Sequence, residues 1–199
     1  MAWAKRLLAG GSSGNGQLTA VAAAVLLVLL AIEGATLLQI RALLTVHAFV
    51  GMLLIPVVAL KLASTGWRML RYYQRGEEYV LRGPPHIALR MLVAPVLVLS
   101  TLLVFGTGVA LLALDQRHGT LVGLHKASFL VWAGAFGLHV LGHLLRLPQL
   151  WRQRVPGLAL RIAIAASALV TGVTLATLTL PNADRLQDHA SGYLGVDGN

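Results

Sequence analysis

Three histidines, His125, His139 and His143, lie within one apolar run, Leu121 to Leu147, and a fourth, His47, lies in another, Ala42 to Leu62. Imidazole ligates transition metals and exchanges protons near neutral pH, so histidines inside hydrocarbon-length segments point to metal or proton chemistry. At 100° per residue on a helix, the fourteen-residue step from His125 to His139 leaves the two about 40° apart, and the eighteen-residue step to His143 returns almost to the start. One helix face therefore carries all three. With about 1.5 Å of rise per residue, His125 stands roughly 21 Å from His139 and 27 Å from His143, which offers imidazoles near both surfaces of a bilayer.

The elements that must position them are themselves legible. Hydrophobic residues make up 57% and charged residues 12% of the 199 residues, and the mean hydropathy is +0.75, too apolar for a soluble domain of this length. Apolar runs at about 18–39, 42–62, 89–114, 121–147 and 158–180 are each near the roughly 20 residues that cross hydrocarbon. None alternates as β-barrel strands do. We expect an all-α membrane protein, a single transmembrane domain of five helices over 1–180, followed by a tail over 181–199. That tail, with Asp184, Asp188 and Asp197 among glycines, is expected to be an outer strap or disordered. The pair Lys5–Arg6 and the stretch Gly10–Gly16 ahead of the first apolar core have the order of a secretory signal, but with Met1 present a retained span is expected.

The formal charge of +9 is not spread as a nucleic-acid surface would be. Twelve of the sixteen basic residues fall at the amino terminus, the second connection or the fourth, and only Arg41, Arg117, Lys126 and Arg185 fall on the other side. The positive-inside rule then predicts a cytoplasmic amino terminus and an outer carboxyl terminus. Trp67, Tyr72, Tyr73 and Trp151 lie where an inner aromatic belt belongs. Most of this charge is expected to set topology and touch anionic membrane lipid.

Under that topology the second and fourth spans run in the same direction, so His47 and His125 sit at similar shallow depth on the outer side. Two histidines from facing helices supply the two axial ligands of a low-spin haem. Gly51, Gly123, Gly134 and Gly137 leave room for a porphyrin or, equally, mark close helix packing. Arg41 and Lys126, with Arg117, are candidate partners for outer propionates, and Arg68 and Arg90, with Arg146, for inner ones. At the inner end His139 and His143 are i, i+4 neighbours, but the second span presents Lys61, which ligates iron only after losing its proton. An inner haem needs another ligand, and His86 is the candidate; Lys61 can instead pair a propionate or snorkel to headgroups. The absence of cysteine excludes thiolate ligation, Cys-bound iron–sulfur clusters and covalent Cys-x-x-Cys-His attachment. His139-x-x-x-His143 has zinc-ligand spacing, but Val140 stands where a metalloprotease has its glutamate. Glu33 either relays protons or quinol hydrogens at the outer site or pairs with Arg41 or Lys126. Ser167, Thr171, Thr174 and Thr177 read as helix-packing glue, and His118 and His189 as solvated.

Several stretches, Thr45-Val-His47 with Gly51, Lys61-Leu-Ala-Ser-Thr-Gly-Trp-Arg68, Arg71-Tyr-Tyr73, Gly83-Pro-Pro85, and Leu124-His-Lys-Ala-Ser-Phe129 through His139 and His143, together resemble a family of actinobacterial cytochrome-b-like, multi-helix membrane haem proteins. The fourteen-residue histidine pair is similar to that of respiratory cytochromes b, and the eighteen-residue pair to that of the membrane subunit of respiratory nitrate reductase. The resemblance covers roughly Arg41 to Arg152. It implies a five-helix haem protein of the bacterial cytoplasmic membrane that passes electrons across or along it, between a quinone pool and a redox partner such as a molybdopterin oxidoreductase. Lys61 departs from the pattern, where a fourth histidine is expected. The expectation is therefore a b-type cytochrome with one or two haem b groups, metal-ligated through His47, His125, His139 and His143. The rival expectation is a cofactor-free membrane anchor or transporter subunit whose histidines carry protons or a metal.

Overall fold

The structure is a computed structural model that describes residues 11–81, 89–144 and 156–192, with the backbone alone at 89–90, 143–144 and 189–192. The described residues form helices α1 (Gly11–Thr36), α2 (Leu44–Tyr73), α3 (Glu77–Val80), α4 (Ala94–Ala113), α5 (Thr120–Leu144) and α6 (Leu158–Gly192), and no strand. A 3₁₀ turn, Leu37–Gln39, follows α1, and a π-helical turn, Leu89–Val93, precedes α4. All but α3 are long and apolar enough to cross a membrane. The protein is thus an all-helical multi-pass membrane protein with five candidate spans.

Helix ends follow from local chemistry. Pro95 stands in the first turn of α4, where a missing N–H costs nothing. The carboxyl ends of α2 and α4 share one closure: Gly76 N–H donates to the Arg71 carbonyl and Gln116 N–H to the Leu111 carbonyl. This six-to-one bond needs a left-handed residue in between, here Arg75 at φ 55° and Asp115 at φ 50°.

Two groups of helices result. In the first, α2 packs along α6 and α1; in the second, α4 packs along α5; α4 also touches α2 and α6, whereas α2 and α5 have no extensive packing on each other among the described residues. The α2–α6 seam is close because α6 turns a row of small residues, Ala165, Gly172, Ala176 and Ala183, inward. Gly172 lies against the Leu53 backbone carbonyl, where any Cβ would collide. The expected glue on this helix is on the other face: Ser167, Thr171, Thr174 and Thr177 are exposed, and their hydroxyls donate to their own helix's carbonyls. In hydrocarbon that satisfies each hydroxyl with no neighbouring helix.

The expected tail is also different. From Pro181 onward α6 continues as helix to Gly192, because Ala183 and Leu186 are buried against the bundle and Gln187 is bonded both to the link between α1 and α2 and to the first turn of α2. Its Nε2 donates to the Arg41 carbonyl at 2.7 Å, and its Oε1 accepts from Thr45 N–H at 3.3 Å. Those contacts offset the carbonyl that Pro181 leaves without its helical partner.

Candidate functional site

His47 is in the first turn of α2 and His125 in the second of α5, so both imidazoles lie at one end of the bundle. Their ring centroids are 6.4 Å apart and their planes are inclined at 83°. Each ring is held from behind by the helix that precedes its own. Thr36 Oγ1 at the end of α1 donates to the Glu33 carbonyl at 2.6 Å, so at 3.1 Å from His47 Nδ1 it is an acceptor. Thr107 Oγ1 in α4 likewise donates to the Leu103 and Val104 carbonyls, at 2.6 and 3.1 Å, and lies 3.0 Å from His125 Nδ1. With those protons on helix carbonyls each hydroxyl oxygen is placed to accept from the imidazole Nδ1–H, which is the tautomer assigned to both histidines. Glu33 Oε1 is a second acceptor for His47 Nδ1–H, at 2.9 Å. Both Nε2 atoms keep a lone pair that no hydrogen bond among the described residues uses.

This is the pattern of a metal-ligating histidine, whose distal N–H is fixed by an oxygen acceptor. The spacing agrees with it. A metal–nitrogen bond of about 2.0 Å plus a ring radius of about 1.1 Å on each side puts the centroids of two trans imidazoles roughly 6 Å apart. Planes at 83° are compatible with two rings turned about one shared axis. Among the described residues, no group of three or more His, Cys, Asp or Glu is placed to hold a metal ion by itself.

The histidines open into a cavity of about 1360 Å³ between the two helix groups, above the roughly 300–1,000 Å³ of ordinary small-molecule pockets. Its walls are mainly aliphatic, with an aromatic row on α5 below His125: Phe129, Trp132 and Phe136. Trp132 and Phe136 stack at 4.8 Å, and Trp132 Nε1 donates to Thr101 Oγ1 at 3.1 Å. The mouth is basic, with Arg41, Arg117 and Lys126 in its lining beside His118. Arg117 donates to Asp115 and to the Arg185 carbonyl, but its buried Nε has no partner among the described residues. Leu186 and Gln187 of the carboxyl-terminal helix close the same end.

The structure thus brings together His47, His125, Arg41, Lys126 and Gly51, all read from the sequence. His118, expected in solvent, is exposed and also lines the mouth of the cavity. Glu33 pairs with His47 and not with Arg41 or Lys126. Gly123, Gly134 and Gly137 are exposed, on the face of α5 away from the cavity; the glycine that makes room is Gly108, where a Cβ would come within 3.2 Å of His125 Cε1. Lys61 belongs to another neighbourhood: its Nζ donates to the Thr19 carbonyl of α1 at 3.0 Å, beside a polar cluster of Asn15, Thr19 and Ser64. Arg68 is exposed at that end of α2. His139 is half-buried on α5 and is not part of the cavity wall. The backbones of Arg90 and His143 are helical, but their side chains, with His86, lie outside the described residues.

Thr36, Thr107, Gly108 and Gln187 were not singled out from the sequence. Thr36 and Thr107 precede their histidines by eleven and eighteen residues, with links of different length between, so no fixed spacing marks them. No protein-family model, curated protein or solved structure matches this chain.

Proposed function

We propose that the protein is a b-type cytochrome of a bacterial cytoplasmic membrane, in which His47 and His125 are the axial ligands of one non-covalent haem b and the chain carries electrons across or along the bilayer. One observation carries the reading: two imidazoles on separate helix groups come to 6.4 Å between ring centroids, each with an oxygen at hydrogen-bond distance from Nδ1. Two protein nitrogens alone suit a macrocycle that brings its own four equatorial ligands, whereas a lone zinc site needs three or four from the protein. When bound, the haem supplies one-electron redox chemistry; the chain supplies position, a dry wall and charge. Phe129, Trp132 and Phe136 would give that group an apolar, aromatic wall. Arg41, Arg117 and Lys126 gather positive charge at the mouth, where propionate carboxylates would lie.

The orientation belongs to the same proposal, with the amino terminus in the cytoplasm, the carboxyl terminus outside and the haem near the outer surface. Donor and acceptor are proposed by class, a quinone in the bilayer and a redox protein such as a molybdopterin oxidoreductase. The test is direct. Protein purified from haem-sufficient cells should give a positive pyridine haemochrome with one haem per chain, and His47→Ala and His125→Ala should each abolish it while the chain still inserts in the membrane. A colourless wild-type preparation refutes the reading. Cysteines placed at Glu77 and Thr120 should label from opposite sides, and labelling of both from outside refutes the orientation.

A further inference from the structure

The backings of the two histidines are built alike except at one position. In each helix pair a threonine on the first helix donates to the carbonyl three residues before it, Thr36 to Glu33 and Thr107 to Val104, and accepts from the imidazole of the second helix. The residue three before the threonine lines the cavity in both cases, but it is Glu33 in one and Val104 in the other. Glu33 Oε1 adds a carboxylate acceptor at 2.9 Å from His47 Nδ1. Its Oε2 is buried with no hydrogen-bond partner among the described residues, so no second donor draws charge away from the imidazole.

We propose that Glu33 is a positioning residue that makes the two axial ligands unequal, His47 a strong anionic-type donor and His125 a neutral one, and so sets the haem at a low reduction potential. The proposal rests on the haem reading above. A carboxylate on the distal N–H raises the basicity of a ligating histidine. A more basic ligand stabilises the more positive ferric ion over the ferrous one, and second-shell hydrogen bonding is one of the levers by which a protein tunes haem. Thr107, a neutral acceptor, exerts less of this pull on His125. A lowered potential would favour strong reductants, low-potential quinols or reduced iron–sulfur partners, as donors.

The experiment is a redox titration of the purified full chain, followed in the visible bands, for wild type and Glu33→Gln. Glutamine keeps an acceptor oxygen and removes the charge. The ratio of reduced to oxidised haem at a fixed electrode potential should rise at least tenfold, which for one electron is an upward shift of about 59 mV, with the low-spin bands retained. Glu33→Val, which copies the Val104 pattern, should shift at least as far, and Glu33→Asp should return part of the way. A haem-loaded wild type with Glu33→Gln titrating at the same potential overturns this proposal and leaves the haem reading standing. A wild type that takes up no haem overturns both. Where the variants lose haem, near-infrared magnetic circular dichroism of the ferric wild type decides: a charge-transfer band at higher energy than that of two neutral imidazoles supports the proposal, and a band at the neutral position overturns it.

Discussion

Replacing Thr107 by Val keeps the shape of the side chain and removes one oxygen. That oxygen, 94% buried with its residue, is the acceptor for His125 Nδ1–H at 3.0 Å, and its own proton already goes to helix carbonyls. A buried donor left without its acceptor costs about 1–3 kcal/mol. Loss of the partner that orients a metal-ligating histidine typically costs about 10–100-fold in affinity, which is about 1.4–2.8 kcal/mol. The first figure bears on the fold and the second on the proposed haem site. The Thr107→Val protein should therefore lose haem to a scavenging apoprotein about 10–100-fold faster than wild type, while keeping its helical circular dichroism. Thr107→Ser restores an acceptor and should recover most of the loss. Equal rates of haem loss for wild type and Thr107→Val would refute the claim that this hydroxyl fixes the tautomer and aim of His125.

Three further outcomes are expected. Gly108→Ala puts a methyl group 3.2 Å from His125 Cε1 and should lower haem occupancy, whereas Gly51→Ala meets only Glu33 Oε1 at 3.6 Å and should retain it; haem-to-protein ratios of the pair check the contrast. Gly172→Ala drives a methyl into the Leu53 carbonyl, forces α6 off α2, and should destabilise the fold by about 1–3 kcal/mol in detergent-solubilised thermal unfolding. Lys61→Met removes a donor to the Thr19 carbonyl, far from the histidine pair, and should leave the haem-to-protein ratio unchanged; a fall would mean that Lys61 serves a haem after all.

Composition and run length by themselves determined the architecture class, since only a helix satisfies its own backbone through some twenty apolar residues. They also determined that His47 and His125 lie at one depth, because each stands a fixed number of residues from the start of its helix and rise per residue is constant. Depth is an axial coordinate, and sequence carries it. Azimuth and neighbour choice are not, and there the tertiary structure decided: which face α6 turns inward, which helix takes up Lys61, and which oxygen stands behind each imidazole. The Ser/Thr stripe of α6 looked adhesive by residue type, but the hydroxyls are satisfied within their own helix, and the opposite row of Ala and Gly gains more by letting backbones approach. Gly123, Gly134 and Gly137 looked like space for a ligand, yet that space lies across from them, beside Gly108 on another helix. The tail beyond Pro181 read as irregular by composition, and it is helical because Ala183, Leu186 and Gln187 find partners on elements more than a hundred residues away in sequence. Such pairings carry no local periodicity, so the chain's pattern could place the two histidines at one level, and only the packing of α1 and α4 behind them could set an oxygen against Nδ1 of each ring.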